Sequence, residues 1–208
     1  MASPFSVDDD LAVRGALHDA SGPDALVLTH GAGSDHRAPL LAVIARAFYT
    51  EGMTVLVCDL PFRQARPSGP PSPAGAERDR RGLAAAINAV PARGRRFVGG
   101  HSYGGRQASM LVAESPELVH GLLLLSYPLH APGKPERVRR AHLSAIRVPT
   151  LFVHGERDPF GTIAEIDAAR ALITAPTALV TIPHAAHALP ANAETAREIA
   201  RQFLRLVA

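Results

Sequence analysis

The sequence predicts an α/β fold, in which a doubly wound, mostly parallel sheet carries helices on both of its faces. Short apolar runs of strand length alternate at least five times with amphipathic helical segments, which is the pattern of such a sheet. Runs such as 25–29 and 121–126 are apolar nearly throughout, as strands buried on both faces are. No internal repeat and no break in composition marks a second unit, so we expect residues 1–208 to form one domain.

The elements follow in chain order. Residues 5–7 and 11–17 predict an edge hairpin, because the second patch alternates between buried and exposed positions. Six further strands are predicted at 25–29, 53–58, 95–98, 121–126, 149–154 and 179–182. Apolar spacing predicts helices near 40–48, 76–90, 106–112, 166–173 and 196–207, the last capped by Asn192, and the polar stretch 136–143 could form one short helix.

Between the first and second helical segments, residues 59–75 predict a long irregular loop, because so many prolines exclude regular structure. The loop leaves the C-terminal end of a strand, where pockets form in sheets of this kind. We expect Phe62 and Arg63 to line the pocket, and the Pro-rich part to be ordinary surface loop.

Composition and charge argue against several classes of protein. Hydrophobic residues make up 47% and charged residues 20%, no apolar run is long enough to span a membrane, and the N-terminus lacks the features of a signal peptide. One cysteine, Cys58, fits a cytoplasmic location. The net charge of +3 comes from dispersed arginines without interleaved aromatic residues, so we expect no nucleic-acid partner. Neither Cys-x-x-Cys nor His-Glu-x-x-His spacing occurs, so we expect no metal and no cofactor.

The turn 99–105 contains Gly100, Ser102 and Gly104 in the Gly-x-Ser-x-Gly pattern of a nucleophile elbow. A predicted strand precedes it and a predicted helix follows, so Ser102 is expected in a strained conformation with its hydroxyl exposed above the sheet. The helix would aim free N–H groups at the place where an oxyanion forms. Taken alone, the same residues could form a glycine-rich turn around an ordinary serine.

Two later strand ends supply partners for Ser102. Asp158 follows one strand and His187 follows the next, which gives the chain order Ser, Asp, His expected of this fold. A serine hydroxyl needs a base within hydrogen-bond reach, and a carboxylate orients that base. Singly, Asp158 could be a turn residue and His187 a surface-loop histidine. His184 is the competing base, and we favour His187 because His184 follows its strand too closely to turn back toward Ser102.

The turn after the first central strand could complete an oxyanion hole, with the amides of Ala32 and Tyr103 as the two donors. A tight glycine turn leading into a helix would explain the same residues. Six further side chains are expected around the pocket: His30, Phe62, Arg63, Tyr127, His130 and Phe160. We expect His101 to pack at the elbow and His154 to be a core or supporting residue.

Five motifs together resemble the α/β-hydrolase superfamily, from about Leu26 to the C-terminus. They lie at 29–33, 100–106, 127–135, 149–161 and 186–189. The chain is most similar to compact, dienelactone-hydrolase-like members, and among these to the group of testis-expressed protein 30 and the hydrolase-like domain of an NSL chromatin complex subunit. The resemblance implies the α/β-hydrolase fold and the triad Ser102, His187 and Asp158. Dienelactone hydrolases proper use a cysteine nucleophile where this chain has Ser102.

The sequence therefore predicts a serine hydrolase that acts on a small ester, thioester, lactone or related acyl substrate through an acyl-enzyme. The segment 126–148 is too short for a large lid, so we expect a shallow site. Two alternatives remain: a non-catalytic binding or scaffold protein on the same fold, and an acyltransferase or perhydrolase that uses the same triad.

Overall fold

The computed structural model describes residues 2–7, 11 and 13–208. The strands are β1 (Ser3–Val7), β2 (Val13–His18), β3 (Ala25–Thr29), β4 (Thr54–Cys58), β5 (Arg96–His101), β6 (Leu122–Leu125), β7 (Thr150–Gly155) and β8 (Thr177–Ile182). The helices are α1 (Pro39–Thr50), α2 (Pro61–Ala65), α3 (Ala76–Ala89), α4 (Tyr103–Glu114), α5 (Ile163–Arg170) and α6 (Ala193–Val207). Short 3₁₀ helices span Pro73–Gly75, Pro116–Leu118 and Leu143–Ala145.

The described strands form an eight-stranded sheet in the order β1-β2-β4-β3-β5-β6-β7-β8. β1 pairs antiparallel with β2, and β2 antiparallel with β4, while all pairs from β4 to β8 are parallel. This confirms the predicted doubly wound, mostly parallel sheet. The carboxyl ends of β3 and β5 lie side by side, with Thr29 paired to Gly100, so the loops that follow them meet at one edge.

Helices cover both faces of the sheet, as predicted, because strands β3 to β7 carry apolar side chains on both sides. On one face, α1 and α6 pack against the sheet through residues such as Phe48, Phe97 and Phe203. On the other, α3, α4 and α5 pack through residues such as Leu83 and Val112. Two hydrophobic clusters therefore hold the central strands in place beneath the site.

Most predicted elements are confirmed with small shifts of their ends. The hairpin strands pair as expected, and their turn residues 8–10 and 12 lie outside the described part of the chain. Helix α4 begins at Tyr103, since the elbow passes directly into it. Asn192 caps α6, where its Oδ1 accepts a hydrogen bond from the Thr195 amide at 2.9 Å. Helix α5 ends before Ile173, which is nevertheless buried.

Two predictions of local structure were wrong. The segment 59–75 contains α2 and a 3₁₀ turn, because a proline is tolerated at the first position of a helix, where its missing N–H costs nothing. The stretch 136–143 forms no α-helix. Its backbone bonds to the preceding loop instead: the Arg139 amide donates to the Leu129 carbonyl at 2.7 Å, and the Tyr127 hydroxyl donates to the Arg139 carbonyl at 2.6 Å.

The connection between β6 and β7, residues 126–149, is fully described and carries one short 3₁₀ helix and no α-helix. The expected absence of a large lid is therefore met in this segment. Among the described residues, no helix combines the length and apolar character needed to cross a bilayer.

Candidate active site

Ser102 lies at the junction of β5 and α4 with φ 52° and ψ −115°. A positive φ is uncommon for a residue with a side chain and marks a strained turn that its surroundings must hold. A Cβ added to Gly104 would lie 2.5 Å from the His30 carbonyl oxygen, and one added to Gly100 would lie 2.7 Å from the Gly104 carbonyl carbon. Strand and helix therefore approach too closely at the elbow for any side chain at these two glycines.

The structure brings Ser102, His187 and Asp158 together in a chain of hydrogen bonds. The His187 Nε2 lies 2.8 Å from the Ser102 Oγ, and its Nδ1 lies 2.8 Å and 3.0 Å from the two oxygens of Asp158. Because the carboxylate only accepts, Nδ1 donates to it, which leaves Nε2 to accept the serine proton. The Asp158 carboxylate is fully buried, whereas the His187 side chain is partly exposed.

Two aromatic neighbours fix the position of His187. Phe160 stacks on its imidazole with ring centroids 4.1 Å apart, and the Phe160 amide donates to Asp158 Oδ1 at 2.9 Å. The ring of His101 lies 5.3 Å from the His187 ring, and its Nε2 donates to the His187 carbonyl at 3.1 Å. Burial lowers the pKa of His101, so this ring stays neutral beside the site.

His154 lies beneath the same carboxylate. Its Nε2 donates to the Gly161 carbonyl at 2.8 Å and lies 3.6 Å from Asp158 Oδ2. Burial lowers the pKa of His154, so the uncharged ring supports the loop that carries Asp158.

His184 lies on the rim instead. It is exposed, with φ 59°, and its amide donates to Glu156 Oε2 at 3.1 Å. Its Nδ1 lies 3.3 Å from Arg157 Nη2. The structure thus brings His187, and not His184, to Ser102.

Ala32 and Tyr103, the expected oxyanion donors, line the same cavity as Ser102. The loop after β3, which carries Ala32, is held by the buried Arg63 guanidinium, which donates to the Ala32 and Ser34 carbonyls. The Tyr103 hydroxyl donates to Asp79 Oδ2 at 2.7 Å, and burial raises the pKa of that carboxyl. Both main-chain segments that would receive an oxyanion are therefore anchored by buried polar side chains.

A cavity of about 590 Å³ opens beside Ser102. Its wall includes the Pro-rich segment 70–73, Met110 and Phe160, together with the side chains of Arg106 and Arg139. The expectation that the Pro-rich segment is ordinary surface loop is therefore corrected. The signal for residues 70–73 was that their loop leaves the C-terminal end of a strand, and nothing local marked Arg139. Arg106 follows Tyr103 by one helical turn and could have been found by that spacing.

Of the six side chains expected around the pocket, Phe160 lines this cavity. The other five are not brought to it, because each is buried in other contacts: His30, Phe62, Arg63, Tyr127 and His130. His30 donates from Nδ1 to the Gly31 carbonyl at 2.8 Å and accepts the Leu60 amide at Nε2.

The remaining four follow the same rule. Phe62 packs between the rings of His30 and Tyr103. The Tyr127 hydroxyl is occupied by the Arg139 carbonyl, and His130 lies between the Ala131 carbonyl and Glu165. The Arg63 guanidinium donates hydrogen bonds to four backbone carbonyls. The three polar side chains thus hydrogen-bond to nearby loops, Phe62 packs in the interior, and none of the four is available to a ligand in the cavity.

In the ranges 2–7, 11 and 13–208, no group of three or more His, Cys, Asp or Glu side chains is placed to hold a metal ion. Cys58 is fully buried, and that burial raises the pKa of its thiol to about 12. The thiol is therefore neither a ligand nor a nucleophile at neutral pH.

The chain is similar to known proteins in both sequence and structure. The family described as an alpha/beta hydrolase domain matches residues 23–207. A dienelactone hydrolase from Anabaena variabilis is 23% identical, with a TM-score of 0.76 over 98% of this chain and 97% of that one. Est1E from Butyrivibrio proteoclasticus with bound ferulic acid is 15% identical, with a TM-score of 0.80 over 98% and 99%. An alpha-beta serine hydrolase homologue from Coxiella burnetii is 15% identical, with a TM-score of 0.71 over 99% and 97%. These likenesses establish a shared fold.

Proposed function

The chain belongs to the alpha/beta hydrolase domain family, and from that premise we propose that it is a serine hydrolase of small acyl substrates. The observation that carries the proposal is the pair of 2.8 Å contacts that link Asp158 to His187 and His187 to Ser102. A hydroxyl held at a strained turn, a base in the correct tautomer and a buried carboxylate are the parts that nucleophilic catalysis needs.

In the proposed reaction, the Ser102 Oγ attacks the acyl carbon while its proton moves to His187 Nε2. The amides of Tyr103 and Ala32 receive the oxyanion, and Asp158 stabilises the imidazolium. His187 then protonates the leaving alkoxide or thiolate, which leaves an ester on Ser102. A water molecule, deprotonated by His187, attacks that ester and releases the acid, and the proton returns to Ser102.

The same relay argues against a purely scaffolding role, because a scaffold needs neither the strained φ of Ser102 nor a buried carboxylate behind His187. Acyl transfer and perhydrolysis would share the acyl-enzyme and differ in the nucleophile that resolves it. One structural neighbour holds ferulic acid, so small carboxylic esters are the first substrates to test.

Three further expectations stay proposals. The motifs at 100–106 and 127–135 support membership in the testis-expressed protein 30 group. The pairing of all described strands in one sheet supports a single domain. A cytoplasmic location rests on the single cysteine.

The proposed function is tested by labelling with a fluorophosphonate probe and by hydrolysis of p-nitrophenyl acetate. Ser102→Ala should abolish labelling and lower the turnover number by ~10³-fold or more. Ser72→Ala is the matched control, because Ser72 lines the same cavity without a histidine partner among the described residues. A folded Ser102→Ala protein that still labels or turns over normally would rule out the serine mechanism.

A further inference from the structure

The cavity beside Ser102 carries two positive charges and no negative one among its described lining residues. The two charges belong to Arg106 and Arg139. Arginine side chains that leave the open surface are usually paired with carboxylates. In the described part of the chain, neither of these two guanidinium groups has a carboxylate within ion-pair distance.

Arg106 is fixed close to the nucleophile. Its backbone amide donates to the Ser102 carbonyl at 2.9 Å, in the first turn of α4. Its side-chain Nε is buried and finds no hydrogen-bond partner among the described residues. A buried N–H without an acceptor is costly, so the Arg106 guanidinium as a whole gains from an anion bound beside it in the cavity.

Arg139 reaches the cavity from the irregular segment between β6 and β7. Its backbone is held on both sides by the bonds to Leu129 and Tyr127 described above, which fix the origin of the side chain. Its guanidinium makes one long contact, 3.5 Å from the Pro128 carbonyl. Arg106 and Arg139 line the same cavity, and burial, and next the positive charge of Arg106, lower the pKa of Arg139.

The remaining wall is largely apolar and includes Pro71, Pro73, Met110 and Phe160. A ligand that matches this cavity has an apolar stem and an anionic end. Two guanidinium groups suit a planar carboxylate, whose two oxygens offer about four acceptor sites.

We propose that this cavity selects acyl substrates bearing a second, free carboxylate, which Arg106 and Arg139 bind while Ser102 attacks the ester or thioester carbon. The inference rests on the proposed serine hydrolase function and names its substrate class. The free carboxylate takes no part in bond making: hydrolysis consumes one water and releases a dicarboxylic acid and the alcohol or thiol.

The test compares two esters with acyl chains of equal length, mono-p-nitrophenyl adipate and p-nitrophenyl hexanoate. The wild-type kcat/KM should favour the adipate ester by ~10-fold or more, the usual effect of a charge-assisted contact. Arg106→Gln and Arg139→Gln should each lower that ratio by ~5-fold or more, and Arg106→Lys should restore part of it. Arg140→Gln is the matched control, since Arg140 is the exposed neighbour of Arg139 outside the cavity wall, and it should keep the wild-type ratio.

A wild-type ratio of one or less, or a ratio unchanged in both glutamine variants, would overturn the carboxylate site while leaving the hydrolase standing. Binding to the Ser102→Ala protein separates the two claims further. By calorimetry, monomethyl adipate should bind ~10-fold more tightly than dimethyl adipate, and Arg106→Gln in that background should remove the difference. Equal binding of the two adipates overturns the carboxylate site. Selective binding without turnover of either ester supports it and rejects the hydrolase.

Discussion

Phe160 lies nearly parallel to the imidazole of His187, with 4.1 Å between ring centroids and 29° between ring planes. Its amide donates to Asp158, the carboxylate that accepts a hydrogen bond from the Nδ1 of the same imidazole. One residue therefore contacts both His187 and Asp158, and it also forms part of the cavity wall. Position and orientation of the base depend on this ring as well as on the carboxylate.

Phe160→Ala should lower kcat for p-nitrophenyl acetate by ~10-fold, because the imidazole loses its stacking partner while the backbone bond to Asp158 can persist. Phe160→Leu keeps most of the bulk but not the flat ring, so its kcat should lie between those of the wild type and Phe160→Ala. Steady-state kinetics and circular dichroism measure the effect and the fold. An unchanged kcat in a folded alanine variant would show that Asp158 alone positions His187.

His187→Ala should cost as much activity as Ser102→Ala, ~10³-fold or more, because residues that act as a unit do not contribute additively. The double variant should therefore lose little more than either single one. His184→Ala is the matched control from the same loop and should change kcat/KM by less than ~3-fold, since His184 lies on the rim. The opposite ranking of the two histidine variants would reassign the base.

Steric limits and sheet topology account for the parts of the site that the sequence predicts well. The elbow is recognisable because steric contacts require its glycines: a Cβ at Gly100 would meet Gly104 in the same turn, and a Cβ at Gly104 would meet His30 in the adjoining loop. Asp158 and His187 are recognisable because parallel strands bring their carboxyl ends to one edge, whatever the distance along the chain. These signals depend on topology and steric limits, which the residue pattern encodes directly.

The residues of the cavity wall are not set by steric limits or strand topology of this kind. Arg139 and the prolines at 70–73 reach the cavity along irregular paths that hydrogen bonds within and between loops set, such as the bonds from Arg63 to the Gly69 and Ala32 carbonyls. His30 and Tyr127 sit at the expected strand ends but turn inward to satisfy backbone groups. Side-chain direction in loops is fixed by tertiary packing, and a single sequence does not encode it locally.

Arg63→Lys should reduce the free energy of unfolding by ~2 kcal/mol or more, because a lysine cannot reproduce the fork that reaches four carbonyls. The buried guanidinium donates to the carbonyls of Ala32, Ser34, Arg66 and Gly69. Urea denaturation measures the change. Arg66→Lys, an exposed arginine that donates to the Pro70 carbonyl, is the control and should cost far less. Equal losses would mean that Arg63 contributes no more than a surface bond.

Because Ala32 is bound directly by Arg63, the same variant should lower kcat more than it changes KM for p-nitrophenyl acetate. A displaced oxyanion donor stabilises the transition state less well, and it affects the bound ester to a smaller extent. A rise in KM with unchanged kcat would instead place the effect on substrate binding.

Cys58 should behave as a buried, unreactive thiol. It is fully inaccessible, and burial together with the charge of Asp59 raises the pKa of the thiol to about 12. The native protein should therefore fail to react with Ellman's reagent at pH 8 and react fully in urea. Cys58→Ala should cost ~1 kcal/mol of stability and leave turnover within a few-fold. Inactivation by iodoacetamide that tracks modification of Cys58 would point to a cysteine enzyme.

The last prediction concerns acid stability and His142, which lies near Arg106. Its Nε2 lies 2.8 Å from the Ser109 hydroxyl. Burial, then the charges of Arg106 and Arg80, lower the pKa of His142 to about 4, from an ordinary value of 6.5. Between those values the unfolded chain binds a proton that the folded protein does not, so stability must fall as the pH drops below 6.5.

His142→Gln keeps a donor for Ser109 and removes this titration. Between pH 7 and 5, the variant should therefore lose less unfolding free energy than the wild type. The difference should be below ~1.4 kcal/mol per pH unit, the limit for one proton, because water screens a half-buried ring. Burial also lowers the pKa values of His30, His101 and His154, so part of the acid loss should remain in the variant. Urea midpoints at pH 7, 6 and 5 measure both slopes, and parallel slopes for the two proteins would exclude His142 as a source of acid sensitivity.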